Sequence, residues 1–244
     1  MNTVWAAIFW GAFSSAALFI GQALAKPLST REHTTGLLMG FGAGTMLSAV
    51  AYELIPLSGI HHGVLLGLAC SSGAATYFIG DRLVDGAGGA DRQAVTDHDT
   101  EGSGMAMFLG ALLDGIPEAF ILGIGIAGGG GVSVAFVAAV FVSNVPQGAA
   151  GTLALEATGR TSAAVTRMWG ALTVASATAA LLGYLAADHI TNHGVYAQAF
   201  AGGAVLVMLA DSMMPEAFSH GGKQVGLLTV AGYLTAAGLT VLGG

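Results

Sequence analysis

Two short polar motifs interrupt apolar stretches near the middle of the chain. The first runs from Asp114 to Glu118 and reads DGIPE, and the second runs from Ser143 to Gln147 and reads SNVPQ. Asp114 and Glu118 are four residues apart, so on a helix both carboxylates share one face. Ser143, Asn144 and Gln147 can add hydroxyl and amide oxygens from the second motif. Oxygen donors of these types hold divalent cations, and the pattern predicts a cation site.

Each motif also contains a proline, which has no backbone N–H and leaves the carbonyl four residues earlier without its helical donor. Pro117 frees the carbonyl of Leu113, and Pro146 frees the carbonyl of Val142. Each helix is therefore expected to offer a carbonyl oxygen beside its polar side chains.

The composition places both motifs in a membrane. Of the 244 residues, 54% are hydrophobic and 9% are charged, whereas about a quarter of a soluble domain is charged. Charged groups at membrane depth cost roughly 2.5–3.5 kcal/mol each on insertion scales, which makes Asp114 and Glu118 functional candidates. The single Cys70 excludes an intrachain disulfide and is expected to be a buried thiol.

Two other classes of protein do not fit the chain. The net charge of −7 gives no nucleic-acid footprint. No nucleophile–base arrangement supports hydrolysis, so we expect neither an enzyme nor a catalytic cofactor.

Apolar runs of membrane-spanning length predict an all-α integral membrane protein with eight transmembrane helices in a single domain, residues 1–244. Residues 84–102 are Gly-rich and then acidic, and they predict a mobile loop between the third and fourth helices. The runs fall at about 4–25, 34–56, 60–83, 103–126, 132–157, 162–187, 194–219 and 223–243.

The basic residues mark one side of the membrane. Arg167 lies early in the sixth run, nearest to that side, and no Lys or Arg marks the other side. The positive-inside rule then puts both termini outside the cytoplasm and the 84–102 loop inside it. The remaining basic residues follow the first, third, fifth and seventh runs: Lys26, Arg31, Arg82, Arg92, Arg160 and Lys223.

The second and seventh runs resemble each other. From Phe41 to Pro56 and from Phe200 to Pro215, a phenylalanine, a patch of small residues, an acidic region and a proline fall at matching offsets without a gap. The predicted topology makes these two helices run in opposite directions, as do the fourth and fifth. We therefore predict a 3+2+3 arrangement of inverted repeats around a central pair, which is typical of transporters. Chance similarity of two Gly/Ala-rich helices is the alternative.

With these features the chain resembles the ZIP (Zrt/Irt-like) family of divalent-metal transporters over nearly its whole length. The resemblance rests on the eight helices in 3+2+3 order, the outside termini, the cytoplasmic loop and the proline-bearing motifs of the fourth and fifth helices. The ends of the second and seventh helices, from Glu53 to Pro56 and from Asp211 to Glu216, also look like the family.

The chain departs from the family pattern at several positions. The family's fourth helix usually reads His-Asn-x-Pro-Glu-Gly, and here Asp114, Gly115 and Ala119 replace the His, the Asn and the final Gly. In the fifth helix, Ser143 stands where the family has His or Gln, and Gln147 stands where it has Glu. The remaining donor set is rich in oxygen and lacks histidine. It suits harder cations such as Mn²⁺ or Fe²⁺ better than an imidazole-rich site would, although Zn²⁺ also accepts carboxylates.

Arg167 is a further departure. The family often has Glu-Pro-x-Gly in the sixth helix, where the Glu helps to hold a second metal, and the corresponding stretch here runs from Arg167 to Gly170. A two-metal centre is then not expected. Arg167 either pairs with Asp114 or Glu118 as a tethered charge substitute for the second metal, or snorkels to the cytoplasmic surface.

Other polar residues are candidates for the path of the metal. Glu53, Asp211 and Glu216 either form vestibule ligands or pair with waters and neighbouring residues. His98, between two aspartates, is either a transient metal site or a solvated loop histidine. Several methionines are expected only to pack or to face lipid: Met39, Met46, Met208, Met213 and Met214.

The resemblance implies transport of Zn²⁺, Fe²⁺ or Mn²⁺ across the inner or plasma membrane toward the cytoplasm. The metal would meet Asp114 and Glu118 near the midplane and leave beside the second and seventh helices, while the outer triplets rock against the central pair. The alternative is a non-transporting ZIP-fold protein used for metal sensing or partner binding, because Gln147 and Arg167 each remove negative charge. Small-residue faces such as 40–44 fit either internal packing or a homodimer.

Overall fold

The computed structural model describes residues 3–29, 31–55, 63–84, 103–127, 132–187 and 194–243, and within these ranges all regular structure is helical. Three short elements complete the longer helices: π-helical turns at Val50–Leu54 and Leu209–Met213, and a 3₁₀ turn at Gly222–Gln224. The α-helices are α1 (Val4–Ser29), α2 (Glu32–Ala49), α3 (Gly63–Val84), α4 (Ser103–Ala127), α5 (Val134–Ala157), α6 (Ser162–Ala186), α7 (Val195–Met208), α8 (Met214–Gly221) and α9 (Val225–Gly243).

Seven helical stretches of the described chain are long and apolar enough to cross a membrane. Only helices or closed barrels satisfy all backbone polar groups in a bilayer. The all-helical fold and the multi-pass membrane character expected from the sequence are therefore confirmed. The predicted loop at 84–102 lies outside the described residues, apart from its first residue, which ends α3.

The last apolar stretch, Val195–Leu242, is 48 residues long, and its first part packs along α2 in the opposite direction. Near the start of α2, Gly36 lies against the backbone of Gly221. Directly after the π-helical turn that continues α2, Ile55 lies against Gly202. α7 and α8 therefore run antiparallel to α2.

The final helix packs along α2 in the same direction. Gly40 lies against Val225 near the start of both helices. Near the end of α9, the Thr240 hydroxyl donates at 3.0 Å to Glu53, which lies in the π-helical turn that follows α2. The chain consequently reverses between α8 and α9, where Gly222 has a φ of 59° that favours glycine.

The helices group into two bundles. α1, α4, α5 and α6 pack on one another to form the first bundle, and α2, α3, α7, α8 and α9 form the second. In each of four helix pairs, two glycines face the partner's backbone so closely that neither has room for a side chain, which is how small residues bring membrane helices together. The pairs are Gly21 with Gly148 (α1–α5), Gly123 with Gly183 (α4–α6), Gly44 with Gly232 (α2–α9) and Gly73 with Gly203 (α3–α7).

The two π-helical turns occupy equivalent positions in α2 and in the α7–α8 helix. The N–H of Ile55 donates to the carbonyl of Val50 at 3.1 Å, and the N–H of Met214 donates to the carbonyl of Leu209. The offset between the two turns is the same as the offset between Phe41 and Phe200. In the second case Pro215 follows the turn, and its missing N–H explains why the α-helical ladder gives way there.

Candidate metal site

The five side chains predicted to form the cation site line one small cavity where α4 and α5 face α7. Its volume of about 20 Å³ is roughly enough for one water-sized occupant. We call it the site cavity. Its lining consists of Asp114, Glu118, Ser143, Asn144, Gln147, Met208 and Met213.

Asp114 is held by two hydrogen bonds from different helices. It is 5% exposed. The Tyr77 hydroxyl on α3 donates to its Oδ1 at 2.7 Å, and the Gln147 amide on α5 donates to its Oδ2 at 2.7 Å. These two donors, one on α3 and one on α5, orient the Asp114 carboxylate at the site cavity.

Glu118 lies one helical turn further along α4, which continues as a helix through Pro117. It is 4% exposed, and no side-chain hydrogen bond reaches its carboxylate from the described residues. A buried carboxylate is costly unless it gains a proton, a hydrogen bond or a cation. Glu118 is therefore the residue of the site cavity that most needs a ligand.

The second motif is presented by α5, whose N-terminus is capped by Ser133 through a bond from the N–H of Phe136 at 3.1 Å. The Ser143 hydroxyl donates to the carbonyl of Val140 at 2.9 Å. The Asn144 amide nitrogen donates to the carbonyl of Ser14 on α1 at 3.1 Å. These bonds leave the oxygens of both side chains as the atoms that can ligate a cation.

Two buried polar residues near the site escaped the sequence analysis. Tyr77 is 4% exposed and Asp81, one turn later on α3, is 3% exposed. Gly80 between them lies against Leu113 of α4, next to Asp114. The available signal was a tyrosine and an aspartate four residues apart in an apolar run, a spacing that puts both on one helix face.

Met208 and Met213 were expected only to pack or to face lipid, and that expectation was incomplete. Both are 5% exposed and line the site cavity. The π-helical turn between them is the physical reason. Five residues apart on an α-helix means about 140° around the axis, whereas the wider turn brings both side chains toward one face.

A larger cavity of about 360 Å³ lies beyond the site cavity along α4. Ile121 and Leu122, the third and fourth residues after Glu118, form part of its wall. Glu53 lines it and accepts the bond from Thr240 described above. Of the residues considered for a vestibule, Glu53 is thus the one that lies on a cavity next to the site.

The other vestibule candidates lie elsewhere. Asp211 is exposed and lines a groove between α3 and α7. Glu216 is bonded to His220, whose other ring nitrogen lies 3.9 Å from Glu32. Neither acid lines the site cavity, and His98 lies outside the described residues. Cys70, expected to be buried, is half-buried on the same groove as Asp211.

The Arg167 side chain points away from Asp114 and Glu118, so it does not occupy the position of a second metal. It is exposed, and its Nε donates to the carbonyl of Ala163 at 3.4 Å. At the level of the site, α6 presents Leu172 and Ser176 to Gly115 instead. The charge of Arg167 is therefore not available to Asp114 or Glu118 in this structure.

Within the described ranges, no three His, Cys, Asp or Glu residues are grouped so that they could hold a metal ion. The site cavity offers two carboxylates, supplemented by amide, hydroxyl and thioether donors. No model of a known protein family and no curated protein sequence matches the chain.

Proposed function

We propose that the chain is a divalent-metal transporter of the ZIP type, which carries Zn²⁺, Fe²⁺ or Mn²⁺ through the site cavity toward the cytoplasm. The observation that carries the proposal is the burial of Asp114 and Glu118 in one cavity inside a helical membrane bundle. Acidic residues at such positions mark ion pathways, because their burial is otherwise costly.

The proposed topology has eight membrane spans in 3+2+3 order, with α7 and α8 forming the seventh and α9 the eighth. The reversal at Gly222 supports two spans where the last apolar stretch is continuous in sequence. A single helix of that length would be about 72 Å long, compared with a hydrocarbon core of about 30 Å.

Three symmetric features support the inverted repeat. The π-helical turns of α2 and of the α7–α8 helix fall at the offset that relates Phe41 to Phe200. Gly44 and Gly203, also related by that offset, each pack closely on the backbone of a partner helix, at Thr229 of α9 and at Cys70 of α3. The α1–α5 pair and the α4–α6 pair correspond in the same way. Both termini are proposed to lie outside the cytoplasm, on the basis of the positive-inside rule.

The proposed route begins in the 360 Å³ cavity, where Glu53 would attract the cation. The cation then binds Glu118 and Asp114, with help from the oxygens of α5, and leaves toward the cytoplasm beside α2 and α7. Because α4 and α5 pack tightly with α1 and α6, the first bundle moves against the second as one unit. This movement differs from the rocking of the two outer triplets against the central pair that the resemblance implies.

A second candidate function is metal sensing or partner binding without transport. It is favoured by one observation, the hydrogen bond from Gln147 to Asp114. A neutral amide there satisfies part of the carboxylate without a metal, which stabilises the metal-free site.

Uptake by reconstituted vesicles tests the proposal. Vesicles containing the purified protein and a trapped metal-sensitive dye are exposed to Zn²⁺, Fe²⁺ or Mn²⁺. We expect uptake by the wild type and its loss in Glu118→Gln and in Asp114→Asn, with both variants folded. The matched control is Glu156→Gln. Glu156 lies at the C-terminal end of α5, away from the site cavity, and this variant should behave as the wild type. Wild-type uptake no faster than in protein-free vesicles would reject transport and leave the sensing function.

A further inference from the structure

The site cavity combines two kinds of donor. Its lining includes the carboxylate residues Asp114 and Glu118 and the thioether residues Met208 and Met213. We propose that these two methionines are ligands that make the site prefer a soft, thiophilic divalent cation over a hard one. This inference rests on the proposed function, because it specifies which cations the same site selects.

The backbone of the α7–α8 helix is shaped so that both methionines line the cavity. An uninterrupted α-helix would direct Met208 and Met213 to different faces. The π-helical turn at Leu209–Met213 removes that separation. Turns of this kind are rare and occur frequently at functional sites.

Gly42 of α2 makes room for one of the two side chains. A Cβ atom at this position would lie 3.1 Å from the methyl carbon of Met213 and 3.1 Å from the Cα of Ser143. The end of the Met213 side chain therefore lies between α2 and α5, at the edge of the site cavity where Ser143 contributes its hydroxyl.

The chemistry of the donors defines the class of cation. Two carboxylates supply the negative charge that any divalent cation needs, and thioethers add neutral, polarisable sulfur. Sulfur donors favour soft and borderline metals such as Zn²⁺ over Mn²⁺, which prefers oxygen. Methionine ligands would therefore shift the selectivity of the oxygen-rich motifs toward softer cations. Cd²⁺, with the charge of Mn²⁺ but much greater softness, is the sharpest probe.

The first test is competitive binding of Cd²⁺ and Mn²⁺ to purified protein, measured by equilibrium dialysis. Met208→Leu with Met213→Leu keeps volume and apolarity while it removes both sulfurs. We expect the ratio of Cd²⁺ to Mn²⁺ affinity to fall by about tenfold or more, the range seen when a group that supports a metal site is lost. The affinity for Mn²⁺ should be unchanged. Met39→Leu is the matched control, since Met39 is equally buried away from the cavity.

The second test identifies the ligand atoms directly. X-ray absorption at the cadmium edge should show sulfur bound to the metal in the wild type, and selenium in protein labelled with selenomethionine. Neither should appear in the doubly substituted variant. An all-oxygen environment, an unchanged affinity ratio, or a wild type that binds neither metal would each overturn the inference. Cadmium bound through sulfur without any uptake would instead reject transport and leave the ligands in place.

Discussion

The hydroxyl of Tyr77 offers a direct measure of how the second bundle supports the site. Tyr77→Phe removes the bond to Asp114 Oδ1, which joins α3 to α4 at 2.7 Å, and leaves the buried ring in place. We expect metal affinity to fall, because Asp114 then loses the hydrogen bond that orients its Oδ1.

The magnitude follows from two independent arguments. A hydrogen bond to a charged group contributes about 1.5–3 kcal/mol, and the loss of an outer partner of a metal ligand costs about 10–100-fold in affinity. At about 1.4 kcal/mol per factor of ten, the two ranges agree. We therefore expect the dissociation constant of the bound metal to rise by about 10–100-fold.

Calorimetric titration of the purified protein with Zn²⁺ or Cd²⁺ measures this change. The matched control is Tyr196→Phe on α7, which removes a phenol hydroxyl that makes no hydrogen bond in the described structure and should leave the affinity unaltered. An affinity that stays the same, or rises, in Tyr77→Phe would refute the reasoning. It would mean that Tyr77 competes with the metal for Asp114 and does not position it.

Two further expectations concern charge and orientation. Arg167→Ala should leave metal affinity and uptake within about twofold of the wild type, because exposed charges are screened; tighter binding would mean that the guanidinium reaches the site. Cysteines introduced at Asn2 and Thr100, with Cys70 removed, can be probed on intact cells with an impermeant thiol reagent. Labelling at Asn2 but not Thr100 is expected, and the reverse pattern would overturn the proposed orientation.

The parts of the site that were predictable from sequence are local along the chain. Asp114 and Glu118 share a face by helical periodicity alone. Their approach to Asn144 and Gln147 follows from two motifs on successive helices that a short connection makes antiparallel.

The unpredicted parts depend on packing between distant elements or on departures from ideal helices. Tyr77 reaches Asp114 from a helix 37 residues earlier in the chain, and no local pattern indicates which helices meet. Met208 and Met213 share the cavity only because of a π-helical turn, whereas α-helical periodicity separates them. The direction of Arg167 depended on which face of α6 meets α4, which composition alone does not determine.

The four glycine pairs restrict how the molecule can rearrange. At Gly123 and Gly183 the two backbones lie so close that no side chain fits between them. Sliding one helix past the other by a turn would force a side chain into that contact. The one-turn ratchet available to loosely packed helices is therefore blocked inside each pair. Among the described residues no such glycine pair joins the two bundles, although Gly42 of α2 packs directly on Ser143 of α5. In the proposed transport cycle, a cation at Glu118 would therefore be carried by a body whose internal geometry stays fixed while its surroundings change.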